Sequence, residues 1–104
     1  MMTTTRIVDQ ITFEWDTEKA RINPINHDGV TFEEALEVFS DPGTRFVDAS
    51  REGQRRFGAI GYGNRGRLLF VVHLELDVET DVIRIISAWK ATRSERLLYE
   101  EGSV

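Results

Sequence analysis

The sequence predicts a small α+β protein in which helices come first and an antiparallel strand meander follows. Two capped helical segments precede Gly43, and polar–apolar alternation with a period of two dominates after it. The length of 104 residues suits one domain covering residues 1–104, and a hydrophobic fraction of 40% is ordinary for a globular chain. Helices grouped before strands favour an antiparallel sheet with the helices packed on one face.

The N-terminal part predicts a lead-in, a strand and a helix. Residues 1–11 have no apolar stretch, so they are expected to form a flexible lead-in and do not resemble a signal peptide. Thr12–Asp16 alternates apolar and polar residues, which predicts a short strand. Asp16 then offers a side-chain oxygen to cap the first helix, which is expected to end just before Pro24. A turn is predicted at Asn26–Gly29.

The second helix has the clearest start signal. Thr31 and Glu34 form a capping box, in which the Thr31 hydroxyl accepts a backbone N–H and the Glu34 side chain reaches back. The apolar face of this helix carries Phe32, Ala35, Leu36 and Phe39. Asp41–Gly43 is expected to end it.

Strands fill most of the remaining chain. The periodicity places them at Arg45–Asp48, Arg55–Tyr62, Leu68–Asp77 and Val82–Trp89. Gly63–Gly66 has the composition of a hairpin loop, and Val78–Asp81 is expected to connect the last two strands. A second capping box, Thr92 with Glu95, predicts a short C-terminal helix.

The last two strands can be paired from the sequence. If Asp77 lies opposite Val82, one face is almost entirely apolar and is expected to pack against the helices. That face carries Val72, Leu74 and Leu76 opposite Ser87, Ile85 and Ile83. The other face then places Glu75 opposite Arg84, with His73 beside them. This group is either a cross-strand ion pair next to a partly covered histidine, or an acid–base and phosphate-binding cluster.

Charge is distributed unevenly along the chain. The net charge of −5 argues against a general nucleic-acid binder that neutralises many phosphates. Residues 45–67 nevertheless carry six arginines against two acidic residues, a local charge of +4. The arginines are Arg45, Arg51, Arg55, Arg56, Arg65 and Arg67. This stretch is either a solvated hairpin edge that resists aggregation or a phosphate-contacting surface.

Several kinds of site are excluded or disfavoured. The chain has no cysteine, which excludes disulfides, thiolate metal ligands and a cysteine nucleophile, and favours the cytoplasm. His27 and His73 are the only histidines and lack metal-ligand spacing, so neither a metal nor a cofactor is expected. The longest apolar run, Leu68–Leu76, is too short and too polar to span a bilayer.

A series of short motifs extends over about residues 12–101. In order, they are Phe13–Asp16, Lys19–Ala20, Asn23, Gly29–Ala35, Val38–Phe39, Asp41–Pro42, Gly66–Leu69, Ile83–Ala88, Lys90–Thr92, and Glu95 with Tyr99–Glu100. Their order and spacing resemble the BrnT family of ribonuclease toxins from type II toxin–antitoxin systems. The resemblance implies a RelE-like fold and a metal-independent endoribonuclease that binds and cleaves RNA and inhibits translation. It also implies a hetero-oligomer with a BrnA-like antitoxin, through which alone the complex binds DNA.

Under this interpretation the sequence predicts an RNA-cleaving site on the exposed sheet face. The catalytic candidates are Arg84 and Arg56, which would hold the scissile phosphate, and His73 and Glu75, which would carry protons. The RNA-binding candidates are Arg55, Arg45, Lys90 and His27. His27 is also a further proton carrier, contributed from the turn after the first helix.

The chain departs from the BrnT pattern in three places. Family members usually have Lys-His-Gly where this chain has Asn26–Gly29, His-Ser where it has Ala49–Ser50, and Ser-Ala-Arg where it has Ser87–Trp89. These departures support an alternative: a binding module that keeps the fold and the antitoxin contact without cutting RNA. A third class, an unrelated small enzyme, would need a pocket that sequence alone does not reveal. A neighbouring gene for a small basic DNA-binding protein would argue against that third class.

Overall fold

The computed structural model describes residues 1–77 and 79–101. The elements in chain order are β1 (Thr3–Val8), β2 (Ile11–Asp16), α1 (Thr17–Asn26), α2 (Phe32–Glu37), a 3₁₀ turn (Val38–Ser40), β3 (Arg45–Asp48), β4 (Phe57–Tyr62), β5 (Leu68–Asp77), β6 (Val82–Lys90) and α3 (Arg93–Glu101). The predicted α+β class is confirmed. Val78, at which the predicted turn between the last two strands begins, lies outside the described residues.

The six strands form one mixed sheet in the order β1-β2-β6-β5-β4-β3. All neighbouring strands are antiparallel except β2 and β6, which run parallel with Thr12 beside Val82 and Glu14 beside Arg84. The prediction of a purely antiparallel sheet is therefore wrong. The chain leaves β2 through the helices and returns along the meander, so β6 arrives beside β2 in the same direction.

Residues 1–11, for which the sequence predicts a flexible lead-in, contain the edge strand β1. β1 and β2 form a hairpin in which the two central residues, Asp9 and Gln10, have φ of 50° and 69°. Positive φ at both positions is characteristic of a type I′ turn, which matches the twist of the flanking strands. Because neither residue is a glycine, the turn is not evident in the sequence.

α1 begins at the predicted cap. The Asp16 carboxylate accepts hydrogen bonds from the backbone N–H groups of Glu18 and Lys19 at 2.8 and 3.1 Å. The helix continues through Pro24 to Asn26, so its predicted end before the proline is wrong. Pro24 lies in the last turn, where the missing N–H removes only one intrahelical hydrogen bond.

The two faces of the sheet are covered differently. We call the face that packs against α1 and α2 the closed face. Its core contains Phe13, Trp15, Leu69, Val71, Ile85 and Ala88 from the strands and Val30, Phe32, Ala35 and Leu36 from the helical side. We call the opposite face the open face. α3 contributes Tyr99 to a smaller core there, around Ile60, Leu68, Phe70 and Val72. The prediction that the helices share one side is thus wrong for α3.

The pairing of β5 with β6 agrees with prediction at its ends and differs in the middle. Val71–Ala88, Val72–Ser87 and Asp77–Val82 are paired as predicted, but two bulges shift the residues between them. His73 therefore lies opposite Ile85, Leu74 opposite Arg84 and Glu75 opposite Ile83. A single-residue bulge exchanges which side chains face each other across strands, and nothing in the sequence marks it.

The predicted assignment of the two faces is also reversed. Val72 packs in the open-face core, whereas Val71 packs in the closed-face core and His73 lies on the same side. Residues 68–73 of β5 are all buried, because both faces of this strand are covered. A strand buried on both sides is apolar throughout, so its sequence pattern does not reveal which face meets the helices.

Candidate functional site

A line of four side chains crosses the open face at the end away from α3. Glu14 on β2 lies beside Arg84 on β6, and Arg84 lies opposite Leu74 on β5. The β4–β5 register pairs Phe57 with His73, so the residue before β4, Arg56, falls next to Leu74. We call these four residues the open-face row. Adjacent strands are about 4.8 Å apart, so the backbones of the two arginines are separated by about 10 Å.

Arg84 is held by a single carboxylate. Its Nη1 lies 2.5 Å from Oε2 of Glu14, and the two side chains are 22% and 24% exposed. A guanidinium at this exposure remains accessible to an incoming anion, and it can present two parallel N–H groups to a phosphate. The pair is therefore a partly exposed guanidinium beside a partly exposed carboxylate.

Arg56 and Arg45 add positive charge on the same side of the sheet. Arg56 donates from Nε to Oε1 of Gln54 at 2.8 Å, a neutral partner that orients the guanidinium without cancelling its charge. Among residues 1–77 and 79–101, no carboxylate forms an ion pair with Arg56. Arg45 is exposed and lies opposite Ile60, whose side chain belongs to the open-face core.

His73 lies on the closed face and has no accessible surface. Phe39, Phe46 and Phe57 surround its ring at centroid distances of 5.0, 6.1 and 5.9 Å. Burial lowers the pKa of His73, and neither the Val71 carbonyl 3.3 Å from Nδ1 nor the charge of Glu75 compensates fully. Its Nε2 has no hydrogen-bond partner in the described structure.

The predicted grouping of His73 and Glu75 with Arg84 is therefore wrong. Glu75 lies opposite Ile83, a residue that packs against the closed-face core, so it shares a face with His73 and not with Arg84. The physical reason is the bulge after Val72 together with the reversal of the faces. His73 acts as a buried aromatic ring among phenylalanines.

The remaining RNA-binding candidates are dispersed. Arg55 stacks over the Phe57 ring at 5.4 Å, on the closed-face side, although its neighbour Arg56 belongs to the open-face row. Lys90 is exposed at the end of β6, opposite Leu69. The candidate RNA-contacting residues are thus divided between the two faces.

His27 reaches the open-face side from the end of α1. Its ring lies 5.7 Å from the Trp89 ring, and the Trp89 ring stacks on Phe70 at 5.1 Å. The turn that carries His27 is held by Arg67, which donates from Nη1 to the Asp28 carbonyl at 3.0 Å and pairs with Glu34. His27 is therefore a half-buried imidazole in a fixed turn, with access to solvent.

Arg67 also explains a small departure from the predicted helix cap. The Thr31 hydroxyl accepts the Glu34 N–H at 3.0 Å, as predicted. The Glu34 side chain does not reach back to Thr31, because its Oε2 accepts a hydrogen bond from Nε of Arg67 at 2.9 Å. The capping box of α3 is complete, since Thr92 and Glu95 each accept the other's backbone N–H. The two boxes look alike in sequence, and only the tertiary partner of Glu34 distinguishes them.

Sequence reasoning missed Glu14 as a member of the open-face row, and it placed Leu74 on the opposite face. Phe13 and Trp15 are 1% exposed and point to the closed face, so alternation alone places Glu14 on the open face. Its partner, however, comes from the parallel β2–β6 pairing, which links positions far apart in the chain. The alternation of residues in β2 thus predicts the face on which Glu14 lies, but no local pattern predicts its pairing with Arg84.

Within the described residues, no group of three histidine, cysteine, aspartate or glutamate side chains is arranged to hold a metal ion. No helix in the same part of the chain is long and apolar enough to cross a membrane.

Comparison with known proteins decides the family. The family model described as "Ribonuclease toxin, BrnT, of type II toxin-antitoxin system" matches residues 15–95, most of the chain. This chain belongs to the BrnT family. It is thus a member of a family of ribonuclease toxins, which implies an RNA substrate and an antitoxin partner. No curated protein matches it.

Two departures from the usual BrnT pattern lie on the same side of the sheet as the open-face row. Ala49 and Trp89 both pack against the open-face core, and the Ala49 N–H donates to the Arg56 carbonyl at 3.0 Å.

Proposed function

We propose that this chain is the toxin of a type II toxin–antitoxin pair and cleaves RNA on its open face without a metal ion. The single observation that carries the proposal is the open-face row, which has Arg84 and Arg56 on either side of Leu74, on the face opposite α1 and α2. Single-stranded RNA offers a phosphate every nucleotide, and two arginines at this spacing can contact the scissile phosphate and hold its neighbour in place.

The proposed reaction is attack by the ribose 2′-oxygen on the adjacent phosphorus. The new P–O2′ bond forms while the P–O5′ bond breaks, leaving a 2′,3′-cyclic phosphate and a 5′-hydroxyl. Arg84 would neutralise charge that builds on the phosphoryl oxygens. One group must accept the 2′-hydroxyl proton, and another must protonate the leaving 5′-oxygen.

Glu14 and His27 are the proton carriers that we assign to this reaction. The Glu14 carboxylate is 24% exposed and would be released when Arg84 binds phosphate, which leaves it free to accept the 2′-hydroxyl proton. The His27 imidazole is partly exposed in the turn after α1, 5.7 Å from the Trp89 ring, and we assign it the protonation of the leaving oxygen because histidine can transfer protons near neutral pH. His73 is not part of the proposal, because a proton carrier must reach the substrate and this ring is fully buried.

Membership of the BrnT family supports the biological setting that we propose. A BrnT-like ribonuclease would degrade cellular RNA and stop translation, in the cytoplasm, until its antitoxin binds. We propose a BrnA-like antitoxin that covers the toxin in a hetero-oligomer and supplies the DNA-binding part. The acidic balance of this chain, −5 overall, is consistent with leaving DNA contact to that partner.

A cleavage assay with purified protein and single-stranded RNA in excess EDTA tests the chemistry. The expected products carry 2′,3′-cyclic phosphate ends, and Arg84→Ala should lower the cleavage rate by about 10²–10³-fold because the charge on the transition state is no longer neutralised. Arg65→Ala is the matched control, since this arginine is 68% exposed and remote from the row. Cleavage that stops in EDTA, or that survives in Arg84→Ala, would contradict the proposal.

Growth after induction tests the biological role. Expression of the chain alone should arrest growth, and co-expression of a neighbouring small basic DNA-binding protein should relieve the arrest. Arrest that persists with Arg84→Ala would assign toxicity to another surface. Folded protein that neither arrests growth nor cuts RNA would leave the non-cleaving binding module as the better description.

A further inference from the structure

A cavity of about 160 Å³ lies between α1 and the free edge of β6. It is lined by Lys19, Ile22, Asn23, Asn26, His27 and Ile86. β2 is paired with β6 only from Thr12 to Glu14, so beyond Arg84 the edge of β6 has no strand beside it. α1 covers this edge instead, and the cavity lies between the helix and the strand.

The inner wall of the cavity is fixed by Asn23. This side chain is 5% exposed, donates from Nδ2 to the carbonyls of Val30 and Ala88 at 2.8 Å each, and accepts the Ala88 N–H at 3.3 Å. It therefore takes the place of a neighbouring strand for Ala88. Because all its polar atoms are used, Asn23 shapes the cavity but leaves ligand recognition to the other lining residues.

We propose that this cavity is the base-recognition subsite of the ribonuclease, holding the base of the nucleotide next to the scissile phosphate. Ile22 and Ile86 supply apolar side chains against which a planar ring can pack. The Asn26 amide has both donor and acceptor atoms for a base edge, as unstacked RNA bases require. The Lys19 ammonium can contact the phosphate of the same nucleotide.

The position of the cavity relative to Arg84 supports this assignment. Ile86 is two residues beyond Arg84 on β6, so their backbones are separated by roughly 7 Å along the strand. A base in the cavity is then within one nucleotide of a phosphate on Arg84. His27 lines the same cavity, so the proposed proton donor borders the proposed base site.

A larger cavity elsewhere does not meet this requirement. It has about 530 Å³ and lies beside β3 and the start of β4, lined in part by Phe46, Asp48 and Arg55. Its lining residues lie on β3 and around the start of β4, and β3 is three strands away from β6 in the sheet. This cavity is therefore farther from Arg84 than the cavity beside Ile86 is.

The inference rests on the proposed ribonuclease function. The test measures the binding of dinucleotides, so its result does not depend on whether the protein cleaves RNA. Dinucleotides with a 2′-O-methyl group at the attacking position cannot be cut, and the four bases can be compared in that position. Trp89 provides the signal, because its ring contacts His27 whereas Trp15 is 1% exposed in the core. Trp89→Phe should abolish the fluorescence change and identify its source.

We expect the wild-type chain to prefer one base or one base class. Asn26→Ala should reduce that preference by roughly tenfold, because a hydrogen bond to a base edge is lost. Asn64→Ala, an exposed asparagine at the β4–β5 turn, is the matched control and should keep the preference. Arg84→Ala should weaken the binding of all four dinucleotides equally, because we propose that Arg84 contacts only the phosphate.

The outcomes separate the two proposals. Equal binding of all four bases, or an unchanged preference in Asn26→Ala, would overturn the base subsite even if the enzyme cuts RNA. Selective binding that depends on Asn26, in a protein that never cleaves the unmodified RNA, would support the subsite and refute the ribonuclease chemistry.

Discussion

The closed and open faces of the sheet carry the same kinds of polar residue in opposite roles. On the closed face, His73 is sealed among phenylalanines and Glu34 is 4% exposed beneath Arg67. On the open-face side, His27 lies in an accessible turn and Glu14 is 24% exposed beside Arg84. Residue type alone therefore does not identify the site, because burial decides whether a histidine or an ion pair stabilises the fold or contacts a ligand.

The two arginine–glutamate pairs illustrate this difference between the closed-face and open-face sides. Arg67 pairs with Glu34 and also donates to the backbone carbonyls of Asp28 and Gly29, which ties α2 to the turn before it. Arg84 pairs with Glu14 alone among the described residues and faces solvent on one side. Arg67 thus uses several of its donors within the fold, whereas Arg84 and Glu14 both remain partly exposed to solvent.

The largest effect on stability should come from breaking the buried pair. Arg67→Ala removes the nearer of the two arginines that pair with the Glu34 carboxylate and leaves Arg65, whose Nη1 lies 3.9 Å away on a side chain that is 68% exposed. Removing one partner of a buried ion pair costs about 3–5 kcal/mol. Because the Arg67 side chain is itself 23% exposed, we expect a loss in the free energy of unfolding of about 3 kcal/mol, measured by urea denaturation.

Arg21→Ala is the control for this prediction. The Arg21–Glu18 pair has good geometry on α1, but both side chains are more than 60% exposed. We expect its removal to change stability by about 0.5 kcal/mol or less. Equal losses in the two variants would show that the closed face does not hold its ion pair any more tightly than the surface does.

A smaller effect should appear in the pH dependence of stability. Burial holds the pKa of His73 below its ordinary value of 6.5, so the unfolded chain takes up a proton at a pH where the folded chain does not. The contribution of His73 to the free energy of unfolding is complete above pH 6.5 and decreases as the pH falls below 6.5. The slope can reach at most about 1.4 kcal/mol per pH unit for one proton.

The comparison variant is His73→Leu, which fits the apolar surroundings of Phe39, Phe46 and Phe57. Urea denaturation at pH values between 5 and 7 should show a flatter pH dependence for this variant than for the wild type. The lowered aspartate pKa values, such as that of Asp48 beside Ser50, contribute only at more acidic pH. An identical slope in both proteins would contradict a buried, neutral His73.

Much of the fold could be predicted because its signals are local. Asp16, Thr31 and Thr92 cap the three helices as expected, and Gly66 has the positive φ that the β4–β5 turn requires. The mixed sheet could not be predicted, because Glu14 and Arg84 are joined by a pairing across most of the chain. Long-range register depends on how the whole chain closes, which no local pattern encodes.

The site was predicted less completely than the fold. Arg84 and Arg56 remain candidates for one shared face: Arg84 pairs with Leu74, and the β4–β5 register extended by one residue brings Arg56 to the same position. His73 and Glu75 were assigned to that face by an unbroken register, which one bulge invalidates. Glu14 and the cavity beside α1 emerged only with the three-dimensional contacts, because they join β2 and α1 to β6.

In the proposed function, RNA is cleaved on the open face and not on the closed face. The two histidines, one on each side, allow a direct test: the RNA cleavage rates of His27→Asn and His73→Leu relative to the wild type. We expect His27→Asn to lose at least about 10²-fold, as removal of a general acid does, while His73→Leu retains the wild-type rate. A folded His73→Leu protein that no longer cuts RNA, together with full activity in His27→Asn, would contradict the account.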